Sequence, residues 1–289
     1  MDVAKLTALL LGSNDKIDEI WGVNNVVGPR LPLALIPTTS GTGSEVTPIS
    51  IITLSNYEKK GVSSKVIIPD LAVLDSLLTI DLPSKTTAST GIDAMVHAIE
   101  AYTSKSANNN PISKALAEKA LDLIGGSIIQ AVKNGKNDEE SRNKMLLGSL
   151  MAGMSFANSP VAAVHALAYP LGGKYKITHG LSNALILPYV IKFIMKDEAT
   201  RNSFLYLSDI IFPQTKHIKN PKDKSLVFIN EFINLSKRFN LPTTIRELGI
   251  TKKECRAMSV EAMKQERLLI NNPISLTQKD IQKIYEQAW

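Results

Sequence analysis

Asp93 and His97 stand four residues apart in GIDAMVHAIE, residues 91–100. On a helix that spacing puts a carboxylate and an imidazole on one face, where both can reach a single cation. The same spacing also serves surface pairs, so the other histidines decide the matter. The chain has four. His217 lies in a polar stretch, whereas His165 (PVAAVHALAYPLGG) and His179 (KITHGLSNALILPY) share the apolar, Gly- or Ala-rich helical setting of His97. Three imidazoles and an inward-facing carboxylate suit Fe(II), Zn(II), Mn(II), Ni(II) or Co(II). The absence of thiolate partners argues against a structural zinc site. Such an ion with an open position acts as a Lewis acid on an alkoxide or carbonyl oxygen.

A second chemical feature is PTTSGTGSEVT, residues 37–47. It follows a strand-like run, and its backbone N–H groups and hydroxyls could cradle phosphate. It fits neither the P-loop nor the Rossmann fingerprint, and a structural turn explains it equally well.

The elements that must position these residues change character near residue 82. Before it, residues 2–11 read as a helix. Residues 31–39 (LPLALIPTT) read as a buried strand, residues 49–54 as a second strand, and residues 66–74 as a third region around Pro69-Asp70. After it, helices are expected at 90–103, with Ser89 or Thr90 as N-cap, and at 111–134, broken near Gly125-Gly126. Further helices are expected at 138–157, 160–172, 180–196, 198–211, 224–239, 251–265 and 277–288, with a polar loop at 213–224. The small residues Gly148, Ala152, Gly153, Ala157, Ala162 and Ala163 allow close helix packing. The expected architecture is an α/β segment over residues 1–82, followed by an all-α domain over residues 83–289.

Composition excludes several classes. The chain has 289 residues, 44% hydrophobic and 21% charged, and a mean hydropathy near zero suits a globular protein. The net charge of +6 is dispersed among acids without a basic, aromatic-studded stripe, which disfavours nucleic acid. Cys255 is the only cysteine, so no internal disulfide forms and a cytoplasmic location is expected. No apolar run approaches the roughly 20 residues of a membrane span. LTALLLG near the start is too short for a signal peptide.

Taken together these motifs resemble the iron-containing (group III) alcohol dehydrogenase family along nearly the whole chain. PTTSGTGSEVT looks like its threonine-rich cofactor loop, and KVIIPDLAVLDSLLTIDLP (65–83) like the strands and domain junction that follow. GIDAMVHAIEAYTS and VHALAYPLGGKYKITHG look like its two metal motifs, and residues 268–289 like its C-terminus. The resemblance implies the dehydroquinate synthase-like fold: part of an α/β NAD(P)-binding domain, then an all-α metal-binding domain. It implies hydride transfer between a primary or secondary alcohol and NAD or NADP. Asp93, His97, His165 and His179 would hold Fe(II), with Zn(II) as the alternative. Asp2, Thr38, Thr39, Thr42 and Lys65 would contact the cofactor. The expected partner is a small alcohol or aldehyde, with a homo-oligomer left open.

Two departures accompany the match. In the family a GGGS turn and a stretch of sheet precede an Asp-x-x-Lys like Asp2-Val3-Ala4-Lys5, whereas this sequence begins at Met1. An open sheet edge and exposed apolar faces are therefore expected. The family often carries a histidine four residues after the third ligand, where this chain has Tyr169. A tyrosine of ordinary pKa near 10 suits proton relay at neutral pH less well, yet still exchanges hydrogen bonds. Two other readings stay open: a non-catalytic metal-binding remnant, and a metal-dependent lyase of the dehydroquinate-synthase-like class.

Overall fold

The computed structural model describes residues 1–54 and 59–289. Helix α1 (Asp2–Gly12) turns Leu6 and Leu9 inward, where they meet Ile20, Val62 and Ile67 in a small apolar core. Strands are short: β1 (Gly22–Val23), β2 (Ala34–Leu35), β3 (Ile49–Thr53), β4 (Lys59–Ser63) and β5 (Leu71–Ala72). They form a sheet ordered β1-β4-β3, with β1 parallel and β3 antiparallel to β4, and a separate parallel pair β2-β5.

The expected buried strand over 31–39 is corrected. Only Ala34–Leu35 ladders, and Leu31 and Ile36 are exposed on either side of buried Leu35. The run has one paired neighbour and one covered face, so alternate side chains point outward. The expected apolar exposure is also seen at Leu11, Val23, Val27 and Leu71.

After a short 3₁₀ turn at Ser76–Thr79, the described chain is helical to its end. Helix α2 (Ser84–Thr103) starts directly after Pro83, six residues earlier than the expected 90. Neither Ser89 nor Thr90 caps it. Both hydroxyls bond back to the Thr86 carbonyl inside the helix, a geometry helices accommodate. Helix α3 (Pro111–Asn134) is capped by Asn110 and runs unbroken through Gly125-Gly126. Each glycine costs roughly 1 kcal/mol of propensity, too little to end a helix packed along its length on α2 and on α4 (Glu139–Asn158).

Helices α5 (Ala163–Tyr175), α6 (His179–Ile194), α7 (Glu198–Ile211) and α8 (Pro221–Arg238) follow. A 3₁₀ turn at Pro213–His217 and the early start of α8 occupy much of the expected polar loop. Helices α9 (Glu254–Met263), α10 (Glu266–Leu269) and α11 (Gln278–Ala288) close the chain, α10 being unforeseen. Their inward faces merge into one large core from Ala88 to Ala288. Buried Arg142 ties the start of this unit together, donating to Thr87 Oγ1 and to the carbonyls of Ile80, Leu82 and Gly135.

Candidate metal centre and cleft

Helix α2 presents Asp93, His97 and Glu100 at i, i+4 and i+7, all buried. Helix α6 delivers His179 from its first position. It can come this close because a Cβ at Gly180 would lie 2.5 Å from the Ser89 carbonyl oxygen of α2. Helix α5 brings His165 through Glu100. The Glu100 carboxylate accepts from Ala162 N (2.9 Å) and Val164 N (2.6 Å) at the amino end of α5, and from His165 Nδ1 at 2.7 Å. A carboxylate thus answers the unpaired N–H groups of that helix end and fixes the imidazole beyond it.

Asp93, His97, His165 and His179 each offer one donor atom, and the four atoms lie within 4.8 Å of one another. The rings of His97 and His165 are 4.6 Å apart and those of His165 and His179 5.3 Å, while Phe156 stacks on His97 at 4.5 Å. His217 takes no part.

The hydrogen bonds set the tautomers. His97 Nδ1 lies 3.2 Å from the Gly41 carbonyl, and His165 Nδ1 faces a carboxylate. Both partners only accept, so each Nδ1 carries a proton and each ring turns its Nε2 inward. His165 Nε2 is buried and has no partner. Asn183 Nδ2 donates to Asp93 Oδ1 at 2.6 Å and faces His179 Nε2 at 3.3 Å, so that nitrogen also accepts. Burial pushes the His97 imidazole down to about 3, against the pull of Asp93, and lowers His179 for the same reason. Burial opposes charge on Asp93, but the surrounding imidazoles and the Asn183 amide outweigh it and hold the carboxyl below its usual range. One carboxylate oxygen and three imidazole nitrogens, one of them orphaned, make a donor set that fits a divalent ion.

The three imidazoles line a cleft of about 1270 Å³, and Asp2, Thr38, Thr39 and Thr42 line it too. The threonine-rich loop is pinned there by Gly43. That residue has φ +57°, and a Cβ there would lie 2.6 Å from the Gly153 Cα of α4. Asp2 is held in place, accepting from Ser44 Oγ (2.5 Å) and Ile51 N (2.8 Å).

Lys65 is the exception among the expected residues. It is exposed on the 3₁₀ turn Lys65–Ile67 and is absent from the described cleft lining. Lys59 of β4 is the lysine in the cleft, its Nζ 5.8 Å from the Tyr169 ring centroid. Tyr169 also lines the cleft, and burial pushes its phenol up while the Arg267 guanidinium opposes the shift.

Sequence reasoning missed Glu100, Asn183, Phe156, Lys59 and Arg267. For Glu100 a signal existed, because it continues the Asp93/His97 face by one more turn. Asn183 stands four residues after His179 and was legible the same way.

Comparisons with known proteins identify the family. The family model described as iron-containing alcohol dehydrogenase matches residues 1–76, and that for the C-terminal part of the Fe-containing alcohol dehydrogenase family matches residues 87–289. Long-chain-alcohol dehydrogenase 1 of Geobacillus thermodenitrificans is 38% identical over 100% of this chain and 72% of its own length. Sulfoacetaldehyde reductase of Bilophila wadsworthia is 34% identical over 99% of this chain and 73% of its own. Among solved structures, a 1,3-propanediol oxidoreductase superposes with a TM-score of 0.92 at 31% identity. It covers 100% of this chain and 74% of its own. With both of its models and these relatives spanning nearly every residue, the chain belongs to the iron-containing alcohol dehydrogenase family.

Proposed function

We propose that this chain is a metal-dependent, NAD(P)-linked alcohol dehydrogenase or aldehyde reductase, with Asp93, His97, His165 and His179 as ligands of one divalent ion. The observation that carries the reading is the buried, unpartnered His165 Nε2 among donor atoms within 4.8 Å, at the wall of a cleft large enough for cofactor and substrate. Fe(II) is the expected ion, with Zn(II) as the alternative. Bound there, it supplies Lewis-acid polarisation of the substrate oxygen, and a nicotinamide supplies the hydride carrier.

The chain's own residues do the rest. Glu100, Gly41 and Asn183 orient the ligands. Phe156 covers the His97 ring and keeps water from that side. Thr38, Thr39, Thr42 and Asp2 form the wall that would receive the cofactor. Tyr169, its phenol raised by burial, stays protonated at neutral pH, so it donates a hydrogen bond toward the substrate oxygen rather than acting as a base. In this reading residues 1–82 are the nucleotide side and residues 83–289 the metal side, in keeping with the separate apolar cores. A cytoplasmic location fits the lone buried thiol of Cys255. Among the described residues no helix is long and apolar enough to cross a membrane.

The test is anaerobic loading with Fe(II) or Zn(II), elemental analysis, and an assay of alcohol-dependent NADH formation. The expected result is one ion per chain and NADH formed from primary alcohols. His165→Ala should lose both and keep its helical circular dichroism. Failure to retain metal and to form NADH after loading overturns the reading.

A further inference from the structure

The cleft wall beside the donor cluster is cationic. Lys59 and Arg267 both line it, and both lie beside Tyr169. Among the described residues neither has a carboxylate within ion-pair distance. The only carboxylate in the described lining is Asp2, whose oxygens are already taken by Ser44 and Ile51.

Arg267 is carried by α10, a short helix held in place by Asn271. The Asn271 amide donates to Val161 O (3.1 Å) and to Arg267 O (3.0 Å). Tyr169 is one helical turn from His165 on α5, so the residue beside both cations is rooted about 6 Å along the helix from that imidazole. That distance is close to the length of a two- or three-carbon spacer. A free guanidinium recognises carboxylate and sulfonate through paired N–H donors, and a neighbouring ammonium adds charge.

We propose that Arg267 and Lys59 read the far end of the substrate, so that the preferred substrates are short ω-anionic aldehydes or alcohols, with a carboxylate or sulfonate two or three carbons from the reacting carbon. This selectivity rests on the dehydrogenase reading above. The competing use of the same cations is the cofactor's pyrophosphate, and the two uses predict different outcomes.

The experiment compares 4-oxobutanoate with butanal as substrates of the metal-loaded chain with NADH. It is repeated on Arg267→Gln and Lys59→Met, with NADH affinity measured alongside. The wild-type chain should favour the anionic aldehyde by about 10-fold or more in kcat/KM, and Arg267→Gln should lower that ratio by about 10-fold, the worth of one charge-assisted contact. A ratio near one in the wild type, a ratio unmoved by the substitution, or an equal loss of NADH affinity overturns the proposal.

A binding arm separates this proposal from the dehydrogenase reading. Titration calorimetry of 4-hydroxybutanoate against butan-1-ol needs no turnover. Tighter binding of the anion, lost in Arg267→Gln, supports the subsite even if NADH formation fails. Equal binding of the two contradicts the subsite even if NADH formation succeeds.

Discussion

His165 Nε2 has nothing to bond because Glu100 takes the other nitrogen of the ring. That one carboxylate also closes the amino end of α5, so the helix carrying His165 and the ring itself share an anchor. Replacing it with glutamine keeps the shape but leaves an NH₂ facing an N–H donor. Glu100→Gln should therefore cost about 1–3 kcal/mol of stability by urea denaturation. It should also weaken metal binding by roughly 10- to 100-fold in a chelator competition. An unchanged metal affinity would mean that His165 is positioned by packing alone. At this scale the sequence was partly legible. The i, i+4 spacing of Asp93 and His97 and the scarcity of histidine pointed to the four donors. Glu100 and Asn183 carry a spacing signal, one turn on from His97 and from His179, but spacing alone does not say which group a polar side chain in an apolar helix faces. Lys65 and Lys59 could not be told apart, since only the course of β4 decides which lysine reaches the cleft.

Helices were more legible than strands, and for a physical reason. A helix satisfies its own backbone, so periodicity reveals it even where the cap is misplaced, as at Ser89 and Thr90. A strand needs a neighbour, and residues 31–39 pair over only two positions. One contact that positions the threonine-rich loop can be tested. A Cβ at Gly153 would meet Gly43 O at 2.8 Å, backbone against backbone. Gly153→Ala should destabilise by about 1–3 kcal/mol, seen as a lower thermal midpoint, and should weaken NADH binding by displacing the loop.

Lys5 of α1 is buried and donates to Thr47 O (2.8 Å), Thr47 Oγ1 (3.2 Å) and Ile49 O (2.8 Å), and burial lowers its pKa to about 8 from 10.5. Below pH 8 the amine is charged in both folded and unfolded chains, so the burial cost is fully present. Between about 8 and 10.5 the unfolded chain holds a proton that the folded one has released. Stability therefore rises with pH across that window, by up to about 3 kcal/mol. Urea midpoints of the wild type and Lys5→Met should diverge over pH 8–10.5 in favour of the wild type. Parallel curves would show that Lys5 titrates normally.

The whole molecule has a small core under α1, a large one running from Ala88 to Ala288, and the cleft where the parts of the chain that build them face each other. The sequence changes from strand-like runs to helical periodicity near residue 82, between the residues that build the two cores. The cleft was not legible, because its walls come from segments as distant as Asp2 and Asn271. The His97–Gly41 contact links the two sides directly, joining a metal-side imidazole to the backbone of the threonine-rich loop.

The central claim is that one carboxylate and three imidazoles converge on a single ion. X-ray absorption at the iron edge of the Fe(II)-loaded chain tests it most directly. The account predicts nitrogen and oxygen scatterers at roughly 2.0–2.2 Å, in the range of imidazole and carboxylate donors, with outer-shell scattering from three imidazoles that is lost in His165→Ala. A spectrum without imidazole scattering, or one unchanged by that substitution, would contradict it.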